Sequence, residues 1–273
     1  MIPDPTDYLV TPDLTRPDKW TYPILHKDIA VMESMVEVDV YNTDRVKDVI
    51  NNRTVAILLH GASVSQFKRE ISDFKGKDWC YLSLNRFTGV EGILKLIGKR
   101  LDILFMMSEQ EMPLRYVDVM KYLGRNDNNV FMTTFSALSW LQHIQWKRLI
   151  NKHQDKLYVM PRLLTRPVYP ISLALILDQL VMMGAKRVIL FGCDGYIPPK
   201  GVGMWDQGKM KNTYYESQAY VSEQRAVGLA IGTKHFNDTY NYNDKLITVL
   251  NCNPNTCIHQ FPTITYAQAK EIC

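Results

Sequence analysis

The run Val55-Ala56-Ile57-Leu58-Leu59, followed at once by His60-Gly61-Ala62-Ser63, restricts the fold more than any other feature of this chain. A strand with one wet face alternates apolar and polar residues, whereas a short unbroken apolar run fits a parallel strand covered on both faces. Behind the turn, Val64, Phe67, Ile71 and Phe74 recur at helical spacing, and Ser63 with Gln66 three residues later has the form of a capping box. Strand, tight turn and helix thus follow without a gap.

The same rhythm continues along the chain. Apolar runs at Trp79–Leu84, Asp102–Met107, Asn129–Phe135 and Leu157–Met160 alternate with amphipathic or turn-rich stretches, including Ser136–Ile150. Ile171–Met183 is almost wholly apolar and is stopped by Gly184, which predicts a buried helix delivering the strand Arg187–Phe191. A helix over Ser217–Asn237 and a last strand over Leu246–Leu250 complete the expected sheet. The fold class is therefore α/β: a Rossmann-like, mainly parallel sheet with helices on both faces. Between Gly195 and Tyr215, Pro198, Pro199, Gly201, Gly203 and Gly208 accompany Trp205, Tyr214 and Tyr215, a composition suited to a lid. The expected organisation is an N-terminal arm with short elements over 1–50, where Val36, Val38 and Val40 alternate like a strand and Val46 with Val49-Ile50 resembles a short helix. A nucleotide-binding core follows over 51–194, then the lid and its helix over 195–240, and the last strand with a C-terminal segment of the core over 241–273.

Composition narrows the function classes. Of 273 residues 46% are hydrophobic, enough for a sizeable core, and the net charge of +4 is scattered, so wholesale nucleic-acid binding is not expected. The start Met1-Ile2-Pro3-Asp4-Pro5 lacks a signal-peptide pattern, and no apolar run approaches the roughly 20 residues of a membrane span, so a cytoplasmic protein without an integral membrane segment is expected. Five cysteines, an odd count without CxxC spacing, predict reduced thiols and no zinc site.

In an open parallel sheet, ligands bind beyond the carboxyl ends of the strands. The residues there are Gly61, Ala62 and Ser63 after the first run, Asn85 and Arg86 after the second, Ser108 and Glu109 after the third. Gly192, Asp194 and Tyr196 follow Phe191, and Asn251, Asn253, Pro254 and Asn255 follow the last. Gly61 and Ala62 let backbone approach a ligand, and the following helix offers N–H groups to a phosphate, although a simple βα turn capped by Ser63 reads equally well. Asn85 suits a ribose or base edge, with an Asx turn as its equal. Asp194 could orient a hydroxyl, bind a cation or cap a turn. His60 and His235 could act as acid or base near neutral pH, and Tyr196, Tyr214 and Tyr215 could donate to an anionic leaving group.

The ordered set resembles the bacterial sialyltransferases of glycosyltransferase family 42, together with the related motility-accessory-factor and 6-hydroxymethylpterin pyrophosphokinase-like proteins. The stretches that carry it are Ile57 to Val64, Leu84-Asn85-Arg86-Phe87, Ser172 to Tyr196, and Val249 to Thr256, the last like the family's Cys-Pro-Asn-Ser turn. The resemblance implies that Gly61, Ala62, Ser63, Asn85, Ser172, Gly192, Asp194, Asn253 and Asn255 surround a nucleotide-sugar donor such as a CMP-sugar, with Tyr196 on the leaving phosphate. It implies an inverting transfer to a glycan acceptor without a required cofactor, and leaves homo-oligomerisation open. The chain departs from the family at the second phosphate tyrosine, where an insertion offers Trp205, and at the histidine base: counting back from Pro254 reaches Leu229. His235 is the nearest histidine, and Tyr215, Glu216 or Glu223 could take its place. A pyrophosphokinase-like reaction, with Mg2+ near Asp194, and a non-catalytic nucleotide- or glycan-binding role are the alternatives.

Overall fold

The computed structural model describes residues 43–59, 61, 63–85, 88–107, 111–125, 128–134, 137–138, 140–160, 172–193, 247–256 and 261–272. The lid, the helix expected after it and the strand expected at Val36–Val40 lie outside these residues.

Seven strands form one all-parallel sheet: β1 (Thr54–Leu58), β2 (Cys80–Leu84), β3 (Ile103–Met106), β4 (Val130–Thr134), β5 (Leu157–Met160), β6 (Arg187–Phe191) and β7 (Thr248–Asn251). Their order across the sheet is β5-β4-β3-β2-β1-β6-β7. The chain therefore builds outward from β1 to β5, then returns to the other flank of β1. Right-handed crossovers require the outward helices to share one face and the returning helix to take the other.

That division is what the packing shows. Helices α2 (Val64–Arg69), α3 (Thr88–Leu94), α4 (Glu111–Leu123), α5 (His143–His153) and α7 (Tyr266–Glu271) cover one face with Phe67, Ile93, Tyr116, Leu149 and Tyr266, against Ala56 and Leu58 of β1. Helices α1 (Thr43–Ile50) and α6 (Ser172–Met182) cover the other with Ile50, Ile176 and Leu180, against Val55 and Ile57. Every residue of β1 is buried, as its unbroken apolar run requires. Gly184 ends α6 at φ 77°, and its left-handed geometry lets Ala185 N–H donate to Leu180 O at 3.0 Å.

Two local expectations are corrected. The helix after β1 is not continuous: α2 stops at Arg69 and a 3-10 turn carries Ile71–Phe74, although all four expected apolar residues are buried. Nor does Ser63 form a capping box, because it is already helical (φ −61°, ψ −18°) and makes no side-chain cap, while the Gln66 amide donates to Glu70 Oε1 instead. Capping boxes form at Gln142–Gln145, ahead of α5, and at Thr265–Gln268, ahead of α7.

At the sheet's amino edge, the Asp102 carboxylate accepts from Tyr81 N–H at 2.7 Å, and the Tyr122 hydroxyl donates to Asp102 O and Val130 O. Burial pushes the Asp102 carboxyl from 3.8 up to about 6, against the opposing pull of the Tyr81 bond, Arg53 and Lys99. A proton held more tightly in the folded than in the unfolded state gives stability that is full below pH 3.8 and lost as pH rises through about 6. Between those limits the loss is about 2–3 kcal/mol. Urea unfolding at a series of pH values should show this slope in the native chain, and Asp102→Asn, which keeps the acceptor for Tyr81, should remove it. Parallel profiles for the two would refute the assignment.

Candidate functional site

Because the chain reverses direction at β1, the sheet has a switch point between β1 and β6, and the crevice beyond their carboxyl ends is where an open α/β sheet takes a ligand. The backbone on both sides of that crevice is tied down. Leu59 N–H donates to Phe191 O at 2.8 Å, and Gly61 N–H donates to Gly192 O at 2.9 Å, so the two glycines expected at the site lie against each other. Gly192 has φ 77°, and a Cβ there would stand 2.9 Å from Leu59 O and 3.0 Å from Val64 Cβ. Only glycine fits that crossing. Ser63 continues the turn, and its carbonyl accepts from the Tyr266 hydroxyl at 3.3 Å.

On the β2 side, Asn85 sits in the left-handed region at φ 56°, a conformation its short amide tolerates. Its backbone N–H donates to Phe105 O, its Oδ1 accepts from Met107 N–H at 3.2 Å, and its Nδ2 donates to Ser172 Oγ at 3.4 Å. Two expected site residues, one at the end of β2 and one at the start of α6, are thus joined. The acceptor of Asn85 serves the β3 backbone, so the face it turns to a ligand is narrower than a free amide would give.

On the β7 side, Cys193 O accepts from Asn251 Nδ2 at 3.0 Å and from Thr256 Oγ1 at 2.7 Å. Asn253 is buried and its Oδ1 accepts from Asn255 N–H at 3.0 Å, an Asx turn that leaves Asn255 exposed at the rim. Asn251 is fully buried and its Oδ1 accepts no hydrogen bond among the described residues, which makes it an acceptor in reserve at this edge. Sequence reasoning listed Asn251 only as a strand end and assigned nothing to Thr256 or Tyr266. The one signal for Tyr266 was the Thr-x-x-Gln spacing at Thr265–Gln268.

Ala62, Asp194, Tyr196, Tyr215, Glu216 and His235 lie outside the described residues, as do His60, Arg86, Trp205 and Glu223. Among the described residues no three His, Cys, Asp or Glu side chains converge to hold a metal ion, and no helix is long and apolar enough to cross a membrane. Cys80, Cys193 and Cys252 are buried and form no disulfide among the described residues. Burial holds the thiols of Cys80 and Cys252 protonated, that of Cys252 pushed up to about 12, which suits packing and opposes nucleophilic use.

No protein-family model matches this chain, and no curated protein does.

Proposed function

We propose that the chain is a glycosyltransferase that binds a nucleotide-sugar donor at the β1/β6 switch point and passes the sugar, of a sialic-acid-like type, to a glycan hydroxyl with inversion. The observation that carries the nucleotide half of this reading is the bare backbone crossing of Gly192 over Leu59, beside Gly61, at the place where the strand order reverses. The lack of side chains at Gly61 and Gly192 would let a ligand's phosphates approach the backbone closely. The sugar-transfer half rests on the order of Gly61, Asn85, Gly192 and Asn253 at strand ends and Ser172 at a helix start, which resembles that of the family-42 sialyltransferases. Because α2 has only six residues, backbone N–H groups of the turn, more than an extended helix dipole, would meet the phosphate. Cys80 and Cys252, buried and held as thiols, favour a reducing, cytoplasmic setting.

In the reaction, direct displacement at the anomeric carbon requires a base for the acceptor hydroxyl and donors for the departing phosphate. Tyr196 is the proposed donor, and His235, Tyr215 and Glu216 are the residues to examine as base. The experiment is a thermal-shift screen of CMP, UDP, GDP and ATP, followed by transfer and hydrolysis assays with the matching nucleotide sugars. A preferred nucleotide at about 100 times its Kd should add about 2.7 kcal/mol of stability. Gly61→Phe, at a partly exposed turn position, should abolish that gain while the unliganded protein keeps its melting temperature. A shift that persists in Gly61→Phe would place the site elsewhere, and no shift with any nucleotide would end the proposal. Magnesium-dependent AMP release from ATP would instead support the pyrophosphokinase reading.

A further inference from the structure

Two neighbouring helices expose their apolar residues at the same end. In α4, Leu114 and Val117 are 66% and 60% exposed; Ile144 in α5 is 65% exposed and Trp140, just ahead of α5, is 39% exposed. Both helices follow strands on the same face of the sheet, so their first turns lie at its carboxyl edge, and they pack against each other. Both rows stand on the outward side of the helix layer, Leu114 opposite the buried Tyr116 on α4 and Ile144 opposite the buried Trp146 on α5.

The charge beside this patch is mixed on α4 and positive on α5. Helix α5 reads HIQWKRLINKH and contains no acid. Its Lys147, Arg148 and Lys152 are exposed and make no ion pair among the described residues. Helix α4, by contrast, carries as many acids as bases: Arg115 is 3.2 Å from Glu111 and 3.9 Å from Asp118, and Lys121 is its second cation.

We propose that this α4/α5 face docks on the surface of an anionic lipid bilayer, with Leu114, Val117, Trp140 and Ile144 entering the headgroup boundary and Lys147, Arg148 and Lys152 meeting lipid phosphates. A cationic helix face with aromatic and aliphatic side chains at one end supplies both requirements of interfacial binding, buried apolar area and attraction to anionic headgroups. A second copy of the chain fits less well, because Arg115, Lys121, Lys147, Arg148 and Lys152 outnumber Glu111 and Asp118 on these two helices, so the same net positive face would meet itself. A folded protein partner fits less well too, since an ordinary interface uses about 20–30 residues a side, against four apolar side chains here.

Co-sedimentation of the full chain with phosphatidylcholine vesicles, with and without phosphatidylglycerol, tests it. Binding is expected only to the anionic vesicles, and it should weaken as salt rises. The triple change Lys147→Glu, Arg148→Glu and Lys152→Glu should weaken partitioning about a hundredfold. Leu114→Ser with Ile144→Ser should weaken it about tenfold. All these residues are exposed, so melting temperatures should stay at the native value; if the reversals lower them, the corresponding glutamine triple replaces them in the same assay. Failure to bind anionic vesicles overturns the proposal, as does binding that survives the triple change. A dimer dissociated by Leu114→Ser and Ile144→Ser, or binding to poly-glutamate but not to vesicles, would assign the face to a second copy or to an acidic protein.

Discussion

Gly192→Ala is expected to lower stability by about 2–4 kcal/mol and to remove nucleotide binding at the switch point in whatever protein still folds. The first part follows from the backbone: φ is 77°, where an L side chain is strained. The second follows from position. A methyl group 2.9 Å from Leu59 O and 3.0 Å from Val64 Cβ forces the end of β1 away from β6. Neither contact is the tip of a flexible side chain, so the bonds Leu59 N–H to Phe191 O and Gly61 N–H to Gly192 O must lengthen. Urea midpoints measure the stability term and nucleotide thermal shifts the other. An alanine variant within about 0.5 kcal/mol of the native chain would show that the crossing is not constrained.

Phe191→Ala should cost still more, about 3–5 kcal/mol. The Phe191 ring is fully buried, with centroid distances of 4.5 Å to Phe67, 5.6 Å to Phe74 and 5.6 Å to Tyr266. Removing it opens a cavity lined by rings from three segments, which cannot close together without shifting the sheet. Phe191→Leu, which keeps most of the volume, should cost less than about half as much. Chemical denaturation of the two variants checks the ordering; equal losses would mean that the ring contacts contribute little beyond bulk.

The sheet was legible because its strands are buried on both faces. Arg187–Phe191 and Leu157–Met160 appear in the structure with the boundaries their apolar runs predict. Strand order was not readable in the same way: no local pattern says that β6 lies beside β1 and not beside β5, since pairing depends on crossover handedness and on contacts far apart in sequence. The partner of a buried polar residue is equally non-local. Gln179 interrupts an apolar helix, and only the fold reveals the Tyr158 hydroxyl donating to its Oε1 at 3.0 Å.

At the candidate site, sequence placed Gly61, Asn85, Ser172, Gly192 and Asn253 at strand or helix ends, and the structure joins Gly61 to Gly192 and Asn85 to Ser172. It misread Ser63. A Ser-x-x-Gln spacing permits a capping box only if the serine is extended, and Ser63 is drawn into the helical region by the turn that brings Gly61 to Gly192. The same spacing at Thr265–Gln268 is real because Thr265 is extended at ψ 162°.

The bond from Tyr266 to Ser63 spans 203 residues, and the bonds from Asn251 and Thr256 to Cys193 span 58 and 63. Closing separations of that length is entropically expensive and slow, so such contacts form after the local βα units have collapsed. The first turn of the fold to be synthesised is thus among the last to be fixed. A chain emerging from the ribosome can assemble β1 to β6 before Tyr266 exists, and the crevice acquires its final shape only when the C-terminal helix docks.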